Sequence, residues 1–253
     1  MQTGTGKGNR IMKTLNIAKK GLLLLGMLAS AAAFASSDIH LDKAPVNLGD
    51  NASLQRGAKT FVNYCLNCHS AAYMRYNRLQ DIGLTEEQIK DNLILTDAKV
   101  GDLMKVAINK KEAQAWFGAT PPDLSVISRS RGADWLYTYL RGFYRDDSRP
   151  TGWNNVAFDK VGMPHVLYEL QGEQVLKHEG KDDHTGKLVL AKPGKMNTAE
   201  YDAMAADLVN YLVFMGEPVK AKRPLIGFFV LLMLTGLLVV SYMLKKEYWK
   251  DVH

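Results

Sequence analysis

The 253-residue chain has two cysteines, which stand three positions apart, and a histidine follows the second of them directly. They are Cys65, Cys68 and His69, within the segment YCLNCHS. Two thiols and an imidazole at this spacing are typical of three chemistries: a structural zinc site, thiol–disulfide exchange, and covalent attachment of a haem. The remaining ligands and the elements around the motif have to decide between these three.

A zinc site needs four ligands, and this motif supplies three, two of them on adjacent residues that cannot easily reach one metal. A redox dithiol normally follows a strand, whereas the residues before Cys65 are apolar at helical spacing, at Leu54, Ala58, Phe61 and Val62. Haem attachment uses all three residues, because both thiols can add to the vinyl groups while His69 ligates the iron. The motif therefore favours a c-type haem held by Cys65, Cys68 and His69.

A second axial ligand separates electron carriers from ligand-binding haem proteins, because a methionine thioether favours a low-spin carrier with a raised potential. Met163 stands between Gly162 and Pro164, outside any helical stripe, in a stretch where the backbone can approach a ring closely. Met163 is the preferred candidate, and His165 stays open as an alternative. The other methionines and histidines of the predicted exported part are Met74, Met104, Met196, Met204, Met215, His40, His178 and His184.

Both ends of the chain carry apolar segments. Lysines precede the run GLLLLGMLASAAAFA, which ends in small residues, so residues 1–35 are predicted to be a secretory signal removed after Ala35. Residues 225–244 contain no charge and at about 1.5 Å per residue are long enough to cross a bilayer. The sequence thus predicts an exported domain, 36–219, and a membrane anchor, 220–253, whose short tail lies in the cytoplasm.

The net charge of +6 does not indicate a nucleic-acid partner, because the basic excess lies outside the exported domain. Residues 36–216 contain 21 basic and 23 acidic side chains. A mildly acidic domain lacks the basic surface that binds nucleic acid. The partners are instead expected to be other proteins and membrane lipid.

The exported domain is predicted to have a helix at each end and an irregular middle. The first helix is predicted over 53–70 with Ser53 as N-cap, and the last over 197–215 with Asn197 or Thr198 as cap and an end at Gly216. Shorter helical segments are predicted near 85–93, 100–108 and 132–141, and one hairpin around LYELQGEQVL.

The pieces RGAKTFVNYCLNCHS, PPDLSVISRSR and VGMPHVLYEL, followed by a terminal helix and one span, occur in an order that resembles the cytochrome c1 family of the bacterial cytochrome bc1 complex. The resemblance covers most of residues 53–250. It implies a mainly α fold: a class I cytochrome c-like domain with long insertions, followed by one C-terminal transmembrane helix. It also implies that the first and last helices of the domain cross near Gly57, Phe61 and Tyr211.

The resemblance further implies site residues. His69 and Met163 would be the axial ligands of one haem c, Pro122 would line the haem, and Arg131 would meet a propionate, with Arg129 as the alternative. A fixed cation is physically reasonable there, since a buried carboxylate is costly without a partner. Trp135 and His165 depart from the family's usual tyrosine and proline.

By the same resemblance, the protein would be an electron-transfer subunit of ubiquinol:cytochrome c reductase without catalytic residues of its own. It would take an electron from the Rieske iron–sulfur protein and pass it to a soluble c-type cytochrome, beside cytochrome b, in a dimeric complex at the inner membrane with the haem domain in the periplasm. Asp146, Asp147, Asp182 and Asp183 would be placed to steer a basic acceptor. The alternatives are a membrane-anchored donor to another oxidase or reductase, and a ligand-binding or peroxidase haem protein.

Overall fold

The computed structural model describes residues 39–106, 108–178 and 186–251. The predicted signal segment lies outside the described residues, as do Asp182 and Asp183. Leu41–His253 form one compact unit. Its α-helices are Asn51–Thr60 (α1), Glu86–Leu93 (α2), Lys110–Phe117 (α3), Ile127–Arg131 (α4), Ala133–Arg141 (α5), Tyr168–Gln171 (α6), Thr198–Gly216 (α7) and Arg223–Tyr248 (α8).

The described strands pair in three antiparallel two-stranded sheets, one for each successive pair along the chain. The strands are Ala71–Arg75 (β1), Leu103–Met104 (β2), Phe143–Arg145 (β3), Trp153–Asn155 (β4), Gly172–Lys177 (β5) and Lys187–Pro193 (β6). Two non-α turns complete the elements: a π-helical segment, Phe61–Cys65, and a 3-10 segment, Tyr76–Ile82. The mainly α architecture predicted from the sequence is confirmed.

Helix α1 leads directly into the cysteine motif. It begins at Asn51, because the carboxylate of Asp50 accepts a hydrogen bond of 3.0 Å from the backbone N–H of Ser53. The prediction that Ser53 caps this helix is therefore wrong, and so is the predicted end at Ser70. After Thr60 the backbone widens into the π-helical segment and the helical path ends at Cys65, so that the motif leaves the helix as a turn.

Helices α1 and α7 cross at very short range. A Cβ atom at Gly57 would overlap the backbone carbonyl oxygen of Asp207 and lie 2.7 Å from Tyr211 Cβ. One turn further on, the rings of Phe61 and Tyr211 pack with centroids 5.5 Å apart, and both are fully buried. The crossing that the family resemblance implied near these residues is what the structure shows.

Helix α7 is held at its start and along its length. Asn197 accepts from the Glu200 N–H while the Glu200 carboxylate accepts from the Asn197 N–H, which makes a reciprocal capping box. In its second turn, Asp202 is reached by Arg141 at the end of α5 at 2.5 Å, and the same arginine reaches Asp42 at 2.6 Å. These ion pairs connect α5, α7 and the chain before α1.

In the middle of the domain the predicted segments near 85–93 and 132–141 are helices, α2 and α5. The predicted helix near 100–108 is wrong. Leu103 and Met104 form strand β2, which pairs with β1, and the next helix begins only at Lys110, after the N-cap Asn109. Met104 is buried under Tyr211, so long-range packing overrides a local pattern that suited either element.

The predicted hairpin around LYELQGEQVL is displaced. Tyr168–Gln171 is one helical turn, Gly172 ends it with a φ of 95°, and strand β5 then pairs with β6. Glycine adopts this left-handed conformation without steric cost. The paired strands are therefore 172–177 and 187–193 rather than the two halves of the predicted ten residues.

Helix α8 contains the predicted span. Its 26 residues cover roughly 39 Å at 1.5 Å per residue. Its most apolar window has a mean hydropathy of 2.4, and none of that window is buried by the rest of the described chain. The predicted apolar helix at the C-terminal end is confirmed as an element with the length and composition of a membrane anchor.

Candidate haem site

One cavity of about 350 Å³ lies between the cysteine motif and the segment that carries Met163. This volume is within the ~300–1,000 Å³ of typical ligand sites. The cavity brings together all six residues that the sequence and the resemblance assigned to the site: Cys65, Cys68, His69, Pro122, Arg131 and Met163.

Apolar side chains make most of the remaining wall. The leucine, isoleucine and valine side chains among them come from the loop before α4, from α4, α5 and α7, and from the segment around Met163; they are Leu124, Ile127, Leu136, Leu140, Val161, Val166, Leu208 and Leu212. An apolar wall of this kind accepts a flat hydrophobic ring and keeps water away from a metal at its centre.

Cys65 and Cys68 are free, half-buried thiols at the edge of this cavity. The backbone N–H groups of Cys68 and His69 both bond to the Cys65 carbonyl, at 3.1 and 2.8 Å, so one tight turn presents all three side chains. Burial, reinforced by Cys68, raises the pKa of the Cys65 thiol to about 12. A thiol held protonated is unlike the activated thiolate of a redox dithiol.

A backbone carbonyl determines which nitrogen of the His69 imidazole carries the proton. Its Nδ1 lies 2.8 Å from the Pro122 carbonyl oxygen, which cannot donate, so Nδ1 carries the proton. Burial lowers the pKa of His69 below its usual value, although the Pro122 carbonyl and Asp123 act in the opposite direction. The ring is therefore neutral at physiological pH and its Nε2 lone pair is free for a metal.

Met163 presents its thioether to the same cavity. The Tyr139 hydroxyl donates a hydrogen bond of 3.3 Å to Met163 Sδ. Tyr139 is itself fixed between two rings: Trp135 stacks on it at 4.8 Å, and Phe143 contacts it edge-on at 5.1 Å. The sulfur atom is thus oriented by a phenol that can hardly move.

His165 and the core methionines occupy other places. His165 is buried and stacked on Phe143 at 4.7 Å, Trp153 packs edge-on against it, and it is absent from the residues that line the described cavity. Burial lowers its pKa to about 4. Met74 and Met104 are buried in the core on strands β1 and β2. His165 therefore does not share the site with His69.

The structure distinguishes the two candidate arginines by position. Arg131 lines the cavity, and its Cζ lies 5.0 Å from the Trp135 ring centre and 5.7 Å from that of Phe158. Arg129, two residues earlier, instead packs its stem near Gly216, at the end of α7. Trp135, where a tyrosine was expected, contributes an aromatic face to Arg131 and to Tyr139.

Sequence reasoning missed Tyr139 as a neighbour of Met163. Its one signal was its spacing: Tyr139 follows Trp135 by four residues, on the same face of α5. Nothing local to Met163, 24 residues further along the chain, points back to this hydroxyl.

The donor set fits a covalently attached haem. Two thiols stand beside an imidazole nitrogen with a free lone pair, a thioether lines the same cavity, and a guanidinium lies at its wall. These are the groups that attach a c-type haem, ligate its iron on two faces and neutralise a propionate.

The fold and this cavity define a class of protein, a c-type cytochrome domain followed by one apolar anchor helix. The model of the Cytochrome C1 family matches residues 42–252, and the chain belongs to that family. The chain is 57% identical over 92% of its length to a protein of Nitrosomonas europaea named ammonia monooxygenase gamma subunit, of which it covers 98%. It is 50% identical over 90% of its length to cytochrome c1 of Allochromatium vinosum, of which it covers 96%.

Family membership gives the function at a coarse level: respiratory electron transfer in the cytochrome bc1 complex. It implies haem c as the cofactor and cytochrome b and the Rieske protein as partners. Cytochrome c1 of Rhodospirillum rubrum is a more distant relative, 27% identical over 93% of this chain.

Proposed function

We propose that one haem c is attached through Cys65 and Cys68, is ligated by His69 and Met163, and relays single electrons from the Rieske iron–sulfur protein to a soluble c-type cytochrome. One observation carries this proposal: an imidazole whose Nδ1 proton is already engaged and a thioether line the same cavity as the two thiols. Iron with a histidine and a methionine ligand has no open position, which suits electron transfer better than ligand binding.

The residues of the site have separate tasks in this proposal. His69 supplies a neutral nitrogen ligand, Met163 raises the potential, and the apolar wall excludes water. Arg131 forms an ion pair with a propionate, whose negative charge would otherwise be energetically unfavourable at an apolar wall. Pro122 contributes its carbonyl oxygen to His69 and its ring to the cavity. The bound haem supplies the one-electron chemistry.

The proposed membrane arrangement follows from the two ends of the chain. Residues 1–35 are an export signal, 36–219 form the periplasmic haem domain, and 220–253 form the anchor with a cytoplasmic tail, in the bacterial inner membrane. Reporter fusions at the C-terminus test this orientation: a cytoplasmic reporter should be active there and an export-dependent one silent. The opposite pattern would reverse the topology.

The assembly proposed is ubiquinol:cytochrome c reductase, in which this chain is the electron-transfer subunit of a dimeric complex with cytochrome b and the Rieske protein. This role requires no catalytic acid, base or nucleophile from the chain. Its soluble partner receives electrons at the haem edge. Asp147 is exposed after β3, where it would attract a basic acceptor, whereas the neighbouring Asp146 is half-buried and accepts hydrogen bonds from Ser148 and Asn154.

The experiment that tests the ligand assignment compares Met163→Ala with Met196→Ala in the full-length, haem-loaded protein. Met196 is half-buried against the core and is not among the residues lining the described cavity, which makes it a matched control. Loss of the thioether should lower the reduction potential and let the reduced form bind carbon monoxide, while Met196→Ala and the parent protein bind none.

Retention of both the low-spin spectrum and the potential in Met163→Ala would show that another residue is the sixth ligand. Carbon monoxide binding by the unmodified protein would instead favour the ligand-binding or peroxidase class.

A second candidate function is supported by the name of the Nitrosomonas europaea relative. A membrane-anchored c-type cytochrome could exchange electrons with a monooxygenase assembly and keep the same haem site. Affinity purification from mild detergent separates the two: the reductase predicts co-purification with a b-type cytochrome and a Rieske iron–sulfur centre, and the alternative predicts monooxygenase subunits instead.

A further inference from the structure

The loop that follows Pro122 is attached to the residues that follow His69 by a ladder of hydrogen bonds. Leu124 N–H donates to the Ser70 carbonyl at 2.8 Å, and Tyr73 N–H donates to Ser125 Oγ at 3.0 Å. Asp123 directly precedes Leu124 in this loop. The contact between His69 Nδ1 and the Pro122 carbonyl is the first bond of this same ladder.

Asp123 joins the two segments through both carboxylate oxygens. Oδ2 accepts from the backbone N–H of Ala72 at 2.9 Å, and Oδ1 accepts from the backbone N–H of Ser125 at 2.8 Å. One oxygen thus bonds to the haem-motif side and the other folds its own loop. An anionic acceptor strengthens both bonds relative to a neutral one.

We propose that Asp123 is a positioning residue for His69: its carboxylate fixes the register of the 122–125 loop against residues 69–73 and so holds the Pro122 carbonyl on Nδ1. The inference rests on the proposed role of His69 as axial ligand. The carbonyl contact determines which nitrogen is free for iron and how strongly it donates, so the clamp contributes to the potential although Asp123 is not among the residues that line the cavity.

The chemistry at Asp123 supports a clamp that stays charged. Burial opposes ionisation, but hydrogen bonds from Ser125 and Ala72 and the nearby Lys110 outweigh it, so the pKa of Asp123 lies below its usual value. The carboxylate is therefore ionised under all physiological conditions.

The direction of the expected effect follows from the charge and the geometry together. Asp123→Asn keeps the shape of the side chain and removes one negative charge near His69. Of the two carboxylate oxygens that accept N–H groups, one is replaced by an NH2 group, which cannot accept. Loss of the charge and a looser Pro122 contact both make His69 a weaker electron donor to ferric iron. The reduced haem is therefore stabilised relative to the oxidised haem. We expect the equilibrium constant for reduction to rise about tenfold, which is about 59 mV for a one-electron couple.

The test uses the full-length, haem-loaded protein in detergent and two readouts. The first is the reduction potential, and the second is the rate at which the His69 Nδ1 proton exchanges with deuterium, followed by its paramagnetically shifted resonance. We expect exchange to accelerate at least tenfold in Asp123→Asn.

Asp102→Asn is the matched control, because Asp102 also accepts a loop N–H, from Lys99 at 2.8 Å, and is not among the residues lining the cavity. This substitution should change both readouts less than twofold.

Equal values for Asp123→Asn and Asp102→Asn would overturn the inference and leave the proposed function intact. Absence of covalent haem, or of histidine–methionine ligation, in the unmodified protein would overturn the proposed function itself. If Asp123→Asn fails to load haem, Asp123→Glu is measured instead, because it keeps the negative charge while its longer side chain cannot bond the N–H groups of Ala72 and Ser125 in the same geometry. A rise of at least twofold in proton exchange there supports the clamp, and an unchanged rate overturns it.

Discussion

His69 and Met163 are each held by one hydrogen-bonding neighbour that lies far away in the sequence. The Pro122 carbonyl accepts from His69 Nδ1, and the Tyr139 hydroxyl donates to Met163 Sδ. With His69 and Met163 as the proposed ligands, the two neighbours would have opposite effects on the iron. A carbonyl that accepts a hydrogen bond from Nδ1 makes the imidazole nitrogen a stronger electron donor to a metal. A hydroxyl that donates a hydrogen bond to the thioether makes its sulfur a weaker electron donor.

Tyr139→Phe tests the thioether side. The phenyl ring keeps the stack with Trp135 and Phe143 but removes the only described hydrogen bond to Met163 Sδ. The sulfur then donates more strongly to ferric iron, so the reduction potential should fall. A hydrogen bond of about 0.5–1.5 kcal/mol corresponds to a shift of roughly two- to tenfold in the reduction equilibrium. A redox titration of the haem-loaded protein measures it.

The control for this substitution is Tyr201→Phe. Tyr201 is also a buried tyrosine, whose hydroxyl bonds the Leu140 carbonyl at 2.8 Å, and it is not among the residues that line the cavity. Loss of that bond should lower the folding stability and leave the reduction potential unchanged. A potential that rises in Tyr139→Phe, or falls equally in both variants, would contradict the assigned role of Tyr139.

The residues that could be predicted at this scale were those with a local signature. Cys65, Cys68 and His69 lie within five residues of one another, and Met163 stands out because Gly162 and Pro164 exclude it from a helix. Tyr139 and Asp123 could not be found in the same way, because their roles depend on which segments the fold brings together. Arg131 and Arg129 are equivalent in sequence, and only the positions of α4 and α7 distinguish them.

At the scale of elements, the crossing of α1 and α7 is what positions the cysteine motif. Helix α1 delivers Cys65 through the π-helical segment, and α7 supplies Leu208 and Leu212 to the cavity wall. Their separation is fixed at Gly57, where the backbone of α7 leaves no room for a side chain.

Gly57→Ala should therefore be strongly destabilising. The added Cβ would meet a backbone carbonyl that cannot rotate away, so the two helices must separate and the Phe61–Tyr211 contact must weaken. Overpacking of this kind costs about 1–3 kcal/mol, equivalent to a loss of roughly 3–10 °C in Tm for a domain of this size. Thermal unfolding followed at the haem absorbance measures the change.

Gly101→Ala is the matched variant for that experiment, since a Cβ there has no neighbour within 4 Å. Its Tm should stay within about 2 °C of the parent protein. If Gly57→Ala were equally stable, the close approach of α1 and α7 would not hold in solution.

Elements were predictable where the local pattern had one solution. Thr85 with Gln88 and Asn197 with Glu200 are capping boxes that can be read from the sequence, and both helices start there. The stretch 100–108 was not predictable, because its apolar spacing suits a helix while its partner strand, β1, lies some thirty residues earlier. The displaced hairpin has the same cause, since β5 pairs with residues beyond the window that contained its turn signals.

At the scale of the whole molecule, the domain and helix α8 share no buried core in the described chain. The core is made by residues between Ala44 and Met215, and no residue of α8 belongs to it. The apolar surface of α8 is instead suited to lipid and to a neighbouring membrane subunit, since about 20 apolar residues suffice to cross a bilayer. In the proposed function, the anchor would determine the location and the membrane partner, and the domain would determine the redox properties.

Deletion of residues 220–253 tests that separation. Because α8 contributes nothing to the described core or to the cavity wall, the remaining domain should fold, load haem and become soluble without detergent. Its reduction equilibrium should stay within twofold of the full-length protein, whereas co-purification with cytochrome b should be lost. The measurements are solubility, redox titration and affinity purification. A truncated domain with an altered potential or with an opened iron coordination would mean that the anchor, through the chain that joins it to α7 at Gly216, also holds the wall formed by Leu208 and Leu212.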